Sequence, residues 1–322
     1  MWRTLDEIPD DLGPTAVTIG NFDGVHRGHR AVVARSRAVA DREALPLVAV
    51  TFDPHPMAVL RPDHAPSVLT PVPWRAELLG AIGVDEVLAL PFDRAMAAWT
   101  PEEFVRRVLV ERLHARAVVV GANFRFGARA AGDTAALVDL GREQPADRRF
   151  TAEGVVLDGG PQVWSSTYVR TCLAAGDVAV ATEALGRPPA VRGPVVQGDQ
   201  RGRELGYPTA NVEVGPDVAV AADGVYAGRM RVLGGPAGTS RPDDPAGFPV
   251  AVSVGTNPTF AGERSRRVEA YVIGRTDLSL YGAEVEVDLS HHLRGMAAFD
   301  SVDELLVQMS QDVEQARVLL GG

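Results

Sequence analysis

Between Thr15 and Val156, short β-branched apolar runs alternate with longer stretches of mixed polarity. The runs AVTIG, LVAVTF, EVLAL and AVVVG read as strands, and helical stretches fall near Gly28–Arg42, Val72–Ala81, Pro101–Leu113 and Gly132–Gly141. Several of these helices start with Pro or Thr. The alternation predicts βα units, an α/β fold with a doubly wound parallel sheet. Two more helices follow at Ser166–Ala175 and Val178–Leu185, after which Gly186, Arg187, Pro188 and Pro189 break the pattern. The predicted domains are therefore 1–186 and 187–322. In the second, VYAGRMRVL, PVAVSVG, RVEAYVIG and EVEVDL alternate apolar with polar positions between Gly, Pro and Asp, which predicts an antiparallel β-barrel. A terminal helix over Val302–Leu319 closes the chain, and the segment GGPAGTSRPDDPAGF reads as a long hairpin loop.

The length of 322 residues supports the two-domain reading, and 46% apolar with 23% charged residues is ordinary globular composition. No run approaches the length of a membrane span, and the opening MWRTLDEIPDD is acidic where a signal peptide is basic and then apolar. The lone cysteine, Cys172, fits a reducing compartment, so a cytoplasmic location is expected, with no membrane partner. A net charge of −10 provides no footprint for long nucleic acid. All 32 basic residues are Arg, which excludes every mechanism that needs a lysine, the P-loop included. The composition leaves assembly into a homo-oligomer open.

The first chemical constellation ends the first strand: Gly20-Asn21-Phe22-Asp23-Gly24-Val25-His26-Arg27-Gly28-His29, running into a helix. Glycines let backbone approach a phosphate, the helix start favours anions, and His26 and His29 add donors where charge develops. A later string, Ser165-Ser166-Thr167-Tyr168-Val169-Arg170, sets hydroxyls within one helical turn of a guanidinium. It reads either as a phosphate-closing loop or as a capping Ser with a solvated Arg. The strand, the glycine turn and His-x-Gly-His together resemble the phosphate signature of the nucleotidyltransferase superfamily, in which Arg170 would supply the charge that lysines often carry.

A second constellation, Gly202-Arg203-Glu204-Leu205-Gly206-Tyr207-Pro208-Thr209-Ala210-Asn211, leads into a strand. Thr209 and Asn211, two residues apart, face one side there, and their side chains suit metal or phosphate oxygens. With TFDPHP at Thr51–Pro56, GANFRFG at Gly121–Gly127, GVYAG at Gly224–Gly228, SVGTNPTF at Ser253–Phe260, RRVEAYVIG at Arg266–Gly274, LYG at Leu280–Gly282 and FDSVDELLVQM at Phe299–Met309, nearly the whole chain resembles the bacterial bifunctional riboflavin kinase and FAD synthetase family.

The resemblance implies two reactions with ATP as co-substrate and Mg2+ as cofactor. Riboflavin becomes FMN in the C-terminal domain, and FMN becomes FAD in the N-terminal domain with release of pyrophosphate. It further implies that Gly20, Phe22, Asp23, Gly24, His26, His29, Asn123, Ser165, Ser166, Thr167 and Arg170 hold the nucleotide in the first domain. In the second, Gly198, Gly202, Arg203, Thr209 and Asn211 would hold ATP, with Thr209 and Asn211 on the metal. Glu269 matches the family's general base. Phe52, Pro54, His55, Pro56, Phe124, Phe126, Glu269 and Arg294 are the implied flavin neighbours, although a Phe beside a strand is more often core. Around Arg294 the segment Leu293–Phe299 lacks acidic and basic residues that many members carry, which bears on local flavin contacts. Two rival readings are a different small-molecule nucleotidyltransferase with an unrelated second domain, and a barrel that binds flavin without catalysis.

Overall fold

The computed structural model describes residues 1–156, 164–198, 206–258 and 264–321. The chain divides into two compact units, Met1–Ser166 and Thr167–Gly322.

In the first unit five strands, β1 (Thr15–Ile19), β2 (Leu47–Asp53), β3 (Glu86–Pro91), β4 (Ala115–Gly121) and β5 (Thr151–Val155), form one sheet in the order β3-β2-β1-β4-β5. Every pairing is parallel. All five residues of β1 are buried, which requires cover on both faces. Val17, Val48, Leu88 and Val118 pack on one side, and Ala16, Leu47, Val87 and Val119 on the other. The second side is closed by helix α1 (Arg27–Glu43), whose Val32, Val33, Val39 and Ala40 recur at helical spacing and are buried. Helix α2 (Pro56–Leu60) follows β2, α3 (Val72–Gly80) precedes β3, and α4 (Arg94–Ala97) follows it. Where the sequence predicts one helix over Pro101–Leu113, a short α5 (Pro101–Phe104) opens into a wider π-helical stretch at Val105–Val110. Helix α6 (Thr134–Glu143) precedes β5. The edge strand β5 is not among the predicted runs, because TAEGV has only one β-branched apolar residue and none of its positions is fully buried.

The second unit is a closed barrel. Its strands are β6 (Ala190–Val196), β7 (Thr209–Val212), β8 (Gly224–Gly234), β9 (Phe248–Pro258), β10 (Arg264–Val272), β11 (Glu284–Asp288) and β12 (His291–Arg294). Six of them run β11-β6-β7-β10-β9-β8, and β11 pairs back with β8 to close the ring. The start of β8 also carries β12. Buried Val191, Val195, Ala210, Val268, Ala270 and Val272 alternate with less buried residues along their strands, the period of two that a filled barrel needs. Helix α9 (Val302–Leu319), capped by Ser301, lays Ala316 and Val313 against Ala227, Ala251 and Ile273. Helices α7 (Ser166–Ala174) and α8 (Val178–Leu185) count with this unit, since the Ala222 N–H donates to the Leu173 carbonyl at 2.8 Å and α8 contacts β12. Packing therefore divides the chain two helices earlier than the break at Gly186 that the sequence marks.

Candidate active sites

Strand order in the first sheet reverses at β1, and parallel sheets bind ligands outside the carboxyl ends of their strands at such a switch point. The turn after β1 and the loop after β4 lie there. Phe22 and Val25 hold φ of 48° and 43°, and Gly24 holds 82°. A left-handed conformation costs an ordinary residue about 1–2 kcal/mol, so this turn must be held by its surroundings. The holding group is Asp23, 2% exposed, whose carboxylate accepts the N–H of Leu69 at 3.0 and 3.1 Å and of Thr70 at 2.9 Å. The Thr70 hydroxyl in turn accepts the Gly24 N–H at 2.9 Å.

His26 is the N-cap of α1. Its Nδ1 accepts the His29 N–H at 3.3 Å and its carbonyl accepts the Arg30 N–H at 3.0 Å. The Arg30 bond is the first rung of the helix; of the N–H groups ahead of it, that of His29 is capped by the His26 ring, and those of Arg27 and Gly28 remain for an anion. Because Nδ1 accepts, the His26 proton is assigned to Nε2. The two imidazoles stack with centroids 3.6 Å apart, and the Phe22 ring meets His29 edge-on at 5.3 Å. Burial, then the neighbouring His26 and Arg75, hold the His29 imidazole well below its ordinary value of 6.5, so it is neutral at neutral pH before a phosphate arrives. Its Nδ1 is buried with no hydrogen-bond partner in the protein, a donor or acceptor left for a ligand.

Three further segments carry residues that the resemblance assigns to the first reaction. His55 caps α2 through Nδ1 and its Nε2 lies 3.2 Å from the Asn21 amide, which ties TFDPHP to the β1 turn. Pro54 is exposed, Pro56 opens α2, and Phe52 is half-buried against Phe92. After β4, Asn123 is exposed and Phe124 half-buried. The Ser166 hydroxyl donates to the Asp23 carbonyl at 2.8 Å, so the Ser165-Ser166 pair is fixed on the turn. Thr167, exposed, and Arg170, half-buried, continue α7 in the second unit.

In the barrel, Ala210 and Val212 face inward, which turns Thr209 and Asn211 to the outer wall. On β10 the same alternation buries Val268, Ala270 and Val272 and leaves Glu269 and Tyr271 outside. Register pairs Glu269 with Asn211 and Tyr271 with Thr209, and directly opposed residues share a face. Two cavities open here. One, of about 340 Å³, runs from Gly198, Asn211, Arg275 and Tyr281 in to the inward-facing Val195, Ala210, Ala270 and Val272. The other, of about 270 Å³, is lined by Tyr207, Glu269, Tyr271, Phe299 and Met309. Thr209 lines both. A Cβ on Gly198 would overlap the Asn211 carboxamide, so a glycine is needed there for the asparagine to stand. Gly202 and Arg203 lie outside the described residues.

Residues 8–156 match the FAD synthetase family and residues 185–320 the riboflavin kinase family. A bifunctional riboflavin kinase/FMN adenylyltransferase of Escherichia coli K12 is 38% identical over 319 residues, covering 99% of this chain and 96% of its own. The chain belongs to the bifunctional riboflavin kinase and FAD synthetase family. A relative of the same description from Pseudomonas fluorescens is 36% identical over 98% of this chain and 96% of its own. A crystal structure described as a macrolide-efflux protein from Streptococcus pneumoniae superposes with a TM-score of 0.83 at 29% identity, covering 97% of this chain and 96% of that one. That description is of the other protein; among the described residues here, no helix is long and apolar enough to cross a membrane.

The structure shows what several of the side chains named by the resemblance are bound to. The Asp23 carboxylate is turned inward and occupied by backbone donors, so it shapes the turn and does not face a nucleotide. The Phe22 ring, 2% exposed, folds back over Gly20, where a Cβ would come within 3.2 Å of it, leaving only its backbone to meet a ligand. The Gly24 N–H is spent on Thr70. Phe126 is core, 7% exposed and packed on Phe104 and Phe124, which leaves Phe124 as the aromatic neighbour of the loop. Arg294 lines the smaller barrel cavity but is held by Asp312 of α9 at 2.7–3.1 Å through Nε and Nη2. Sequence reasoning missed Arg75, Tyr207 and Tyr271. Tyr271 had a signal, since a strand period of two places it beside Glu269; Arg75 had none.

Proposed function

We propose that this chain carries out both reactions of its family, phosphorylating riboflavin on the outer wall of the barrel and adenylylating FMN at the switch point of the parallel sheet. The observation that carries the first assignment is Thr209, which lines both barrel cavities and so stands where a γ-phosphate must meet a hydroxyl. ATP fits the larger cavity beside Gly198 and Asn211. The smaller, walled by Tyr207, Tyr271, Phe299 and Met309, suits an isoalloxazine ring and excludes water from it. Glu269 takes the proton of the ribityl 5′-hydroxyl as that oxygen attacks the γ-phosphorus and ADP departs.

In the first unit, the Arg27 and Gly28 N–H groups and the two imidazoles receive the phosphates of a second ATP. The FMN phosphate attacks the α-phosphorus and pyrophosphate leaves. His29, neutral in the free protein, takes up a proton from solvent as phosphate charge raises its proton affinity, and the imidazolium then donates to the phosphate oxygens. Ser165 and Ser166 close on the nucleotide, with Asn123 beside it, and His55 and Phe124 adjoin the flavin.

A divalent cation fits the barrel site by its donor chemistry. Among the described residues no group of three or more His, Cys, Asp or Glu could hold a metal. The Thr209 hydroxyl and Asn211 carboxamide are hard oxygen donors of the kind Mg2+ takes together with substrate phosphates and water. Bound there, Mg2+ would neutralise charge on the transferring phosphoryl group. A cytoplasmic location fits the single thiol and the small anionic substrates.

Incubating the protein with riboflavin, ATP and magnesium and separating the flavins tests the reading. Absence of FMN removes the kinase assignment, and absence of FAD from supplied FMN removes the adenylyltransferase assignment.

A further inference from the structure

Arg75, on α3, is 3% exposed and lies under the β1 turn. Its Nη1 donates to the Asn21 carbonyl at 2.8 Å and to the Thr51 hydroxyl at 3.1 Å, and its Nη2 donates to the Thr70 carbonyl at 3.0 Å. Nη2 also stands 3.6 Å from the Asp23 carboxylate, itself bound to the backbone of Leu69 and Thr70. One guanidinium thus spans the ends of β1 and β2 and the approach to α3, around the residues with left-handed backbone. A planar fork can reach three acceptors at fixed angles, which a lysine ammonium cannot.

We infer that Arg75 is a positioning residue for adenylyl transfer, holding the strained β1 turn in the shape that presents His26 and His29 to the nucleotide. The inference rests on the adenylyltransferase reading of the first unit. The charged and titratable groups facing His29 are His26 on its own turn and Arg75 with its partner Asp23. The Arg75 charge helps keep His29 neutral until phosphate binds. Arg75 touches no reacting atom, and its effect on rate runs entirely through the geometry and protonation of the histidines.

The test uses the full chain with R75K and R75M. FAD formation from FMN reads the first unit, FMN formation from riboflavin reads the second, and histidine-selective NMR follows the His29 titration. R75K keeps the charge and loses the fork, so FAD formation should slow about tenfold with the His29 titration unmoved. R75M loses both, so FAD formation should slow about 100-fold, the scale of a roughly 1 Å misplacement, and His29 should titrate at higher pH. FMN formation should be unchanged in both. FAD formation by R75K at the wild-type rate would overturn the inference even if R75M fails to fold. So would a His29 titration identical in wild type and R75M, or parallel loss of FMN formation. A wild-type chain that makes no FAD would instead refute the adenylyltransferase reading, and the NMR arm would still report whether Arg75 acts on His29.

Discussion

Glu269 stands directly opposite Asn211 in the antiparallel pairing of β10 with β7, and the next pair on the same face is Tyr271 with Thr209. A carboxylate, a carboxamide and a hydroxyl from two strands thus share one face, where Thr209 lines both cavities. Replacing the Thr209 hydroxyl by a methyl tests that position with little disturbance, since valine suits a strand as well as threonine does. Thr209→Val should slow FMN formation about 100-fold or more and leave FAD formation from FMN intact, as read by product chromatography.

Gly198 predicts a second effect at the same site. Adding a methyl there forces the Asn211 side chain away. Gly198→Ala should therefore lower FMN formation by about tenfold or more, with little change in urea midpoint, because the atoms it meets are the far end of a side chain that can turn aside. Unchanged kinetics would mean that Asn211 does not meet ATP.

How much of these sites the sequence revealed depends on where each partner lies along the chain. The β1 turn, four parallel strands and the Thr209 and Asn211 pair are local patterns, readable from period and spacing, whereas Glu269 enters only through the family resemblance. Asp23 stands among the residues that the resemblance assigns to ATP, yet its partners Leu69 and Thr70 are remote and pull it inside. Nothing in the sequence around Arg75 marks it, and only the fold brings Asn21, Thr51 and Thr70 around it. Arg294 is expected near the flavin from the resemblance, while its tie to Asp312 of α9 depends on how that helix packs.

Acid should weaken the first unit through His29. The folded protein holds this imidazole well below 6.5, so between that lowered value and 6.5 the unfolded chain binds more protons. Stability is then lost as pH falls through this window and is unaffected by His29 above it. The urea midpoint should drop between about pH 7 and about pH 5, and His29→Gln should flatten part of that slope. A slope unaltered by the substitution would place the titration elsewhere.

The Arg294 and Asp312 side chains are 23% and 7% exposed, and Gln308 also donates to Asp312 at 2.9 Å. Removing the guanidinium strands a nearly buried carboxylate. Arg294→Met should cost about 2–3 kcal/mol in urea unfolding, below the roughly 3–5 kcal/mol of a fully buried pair because Gln308 remains. Adding Asp312→Asn should recover part of the loss, and a double variant weaker than the single one would contradict the pairing.

The division of labour is tested most directly by product analysis of Glu269→Ala, His29→Ala and an equal mixture of the two, each given riboflavin, ATP and magnesium or FMN and ATP. The expected result is that Glu269→Ala makes no FMN but converts FMN to FAD, that His29→Ala stops at FMN, and that the mixture carries riboflavin through to FAD. Loss of both products from either folded variant would contradict the account.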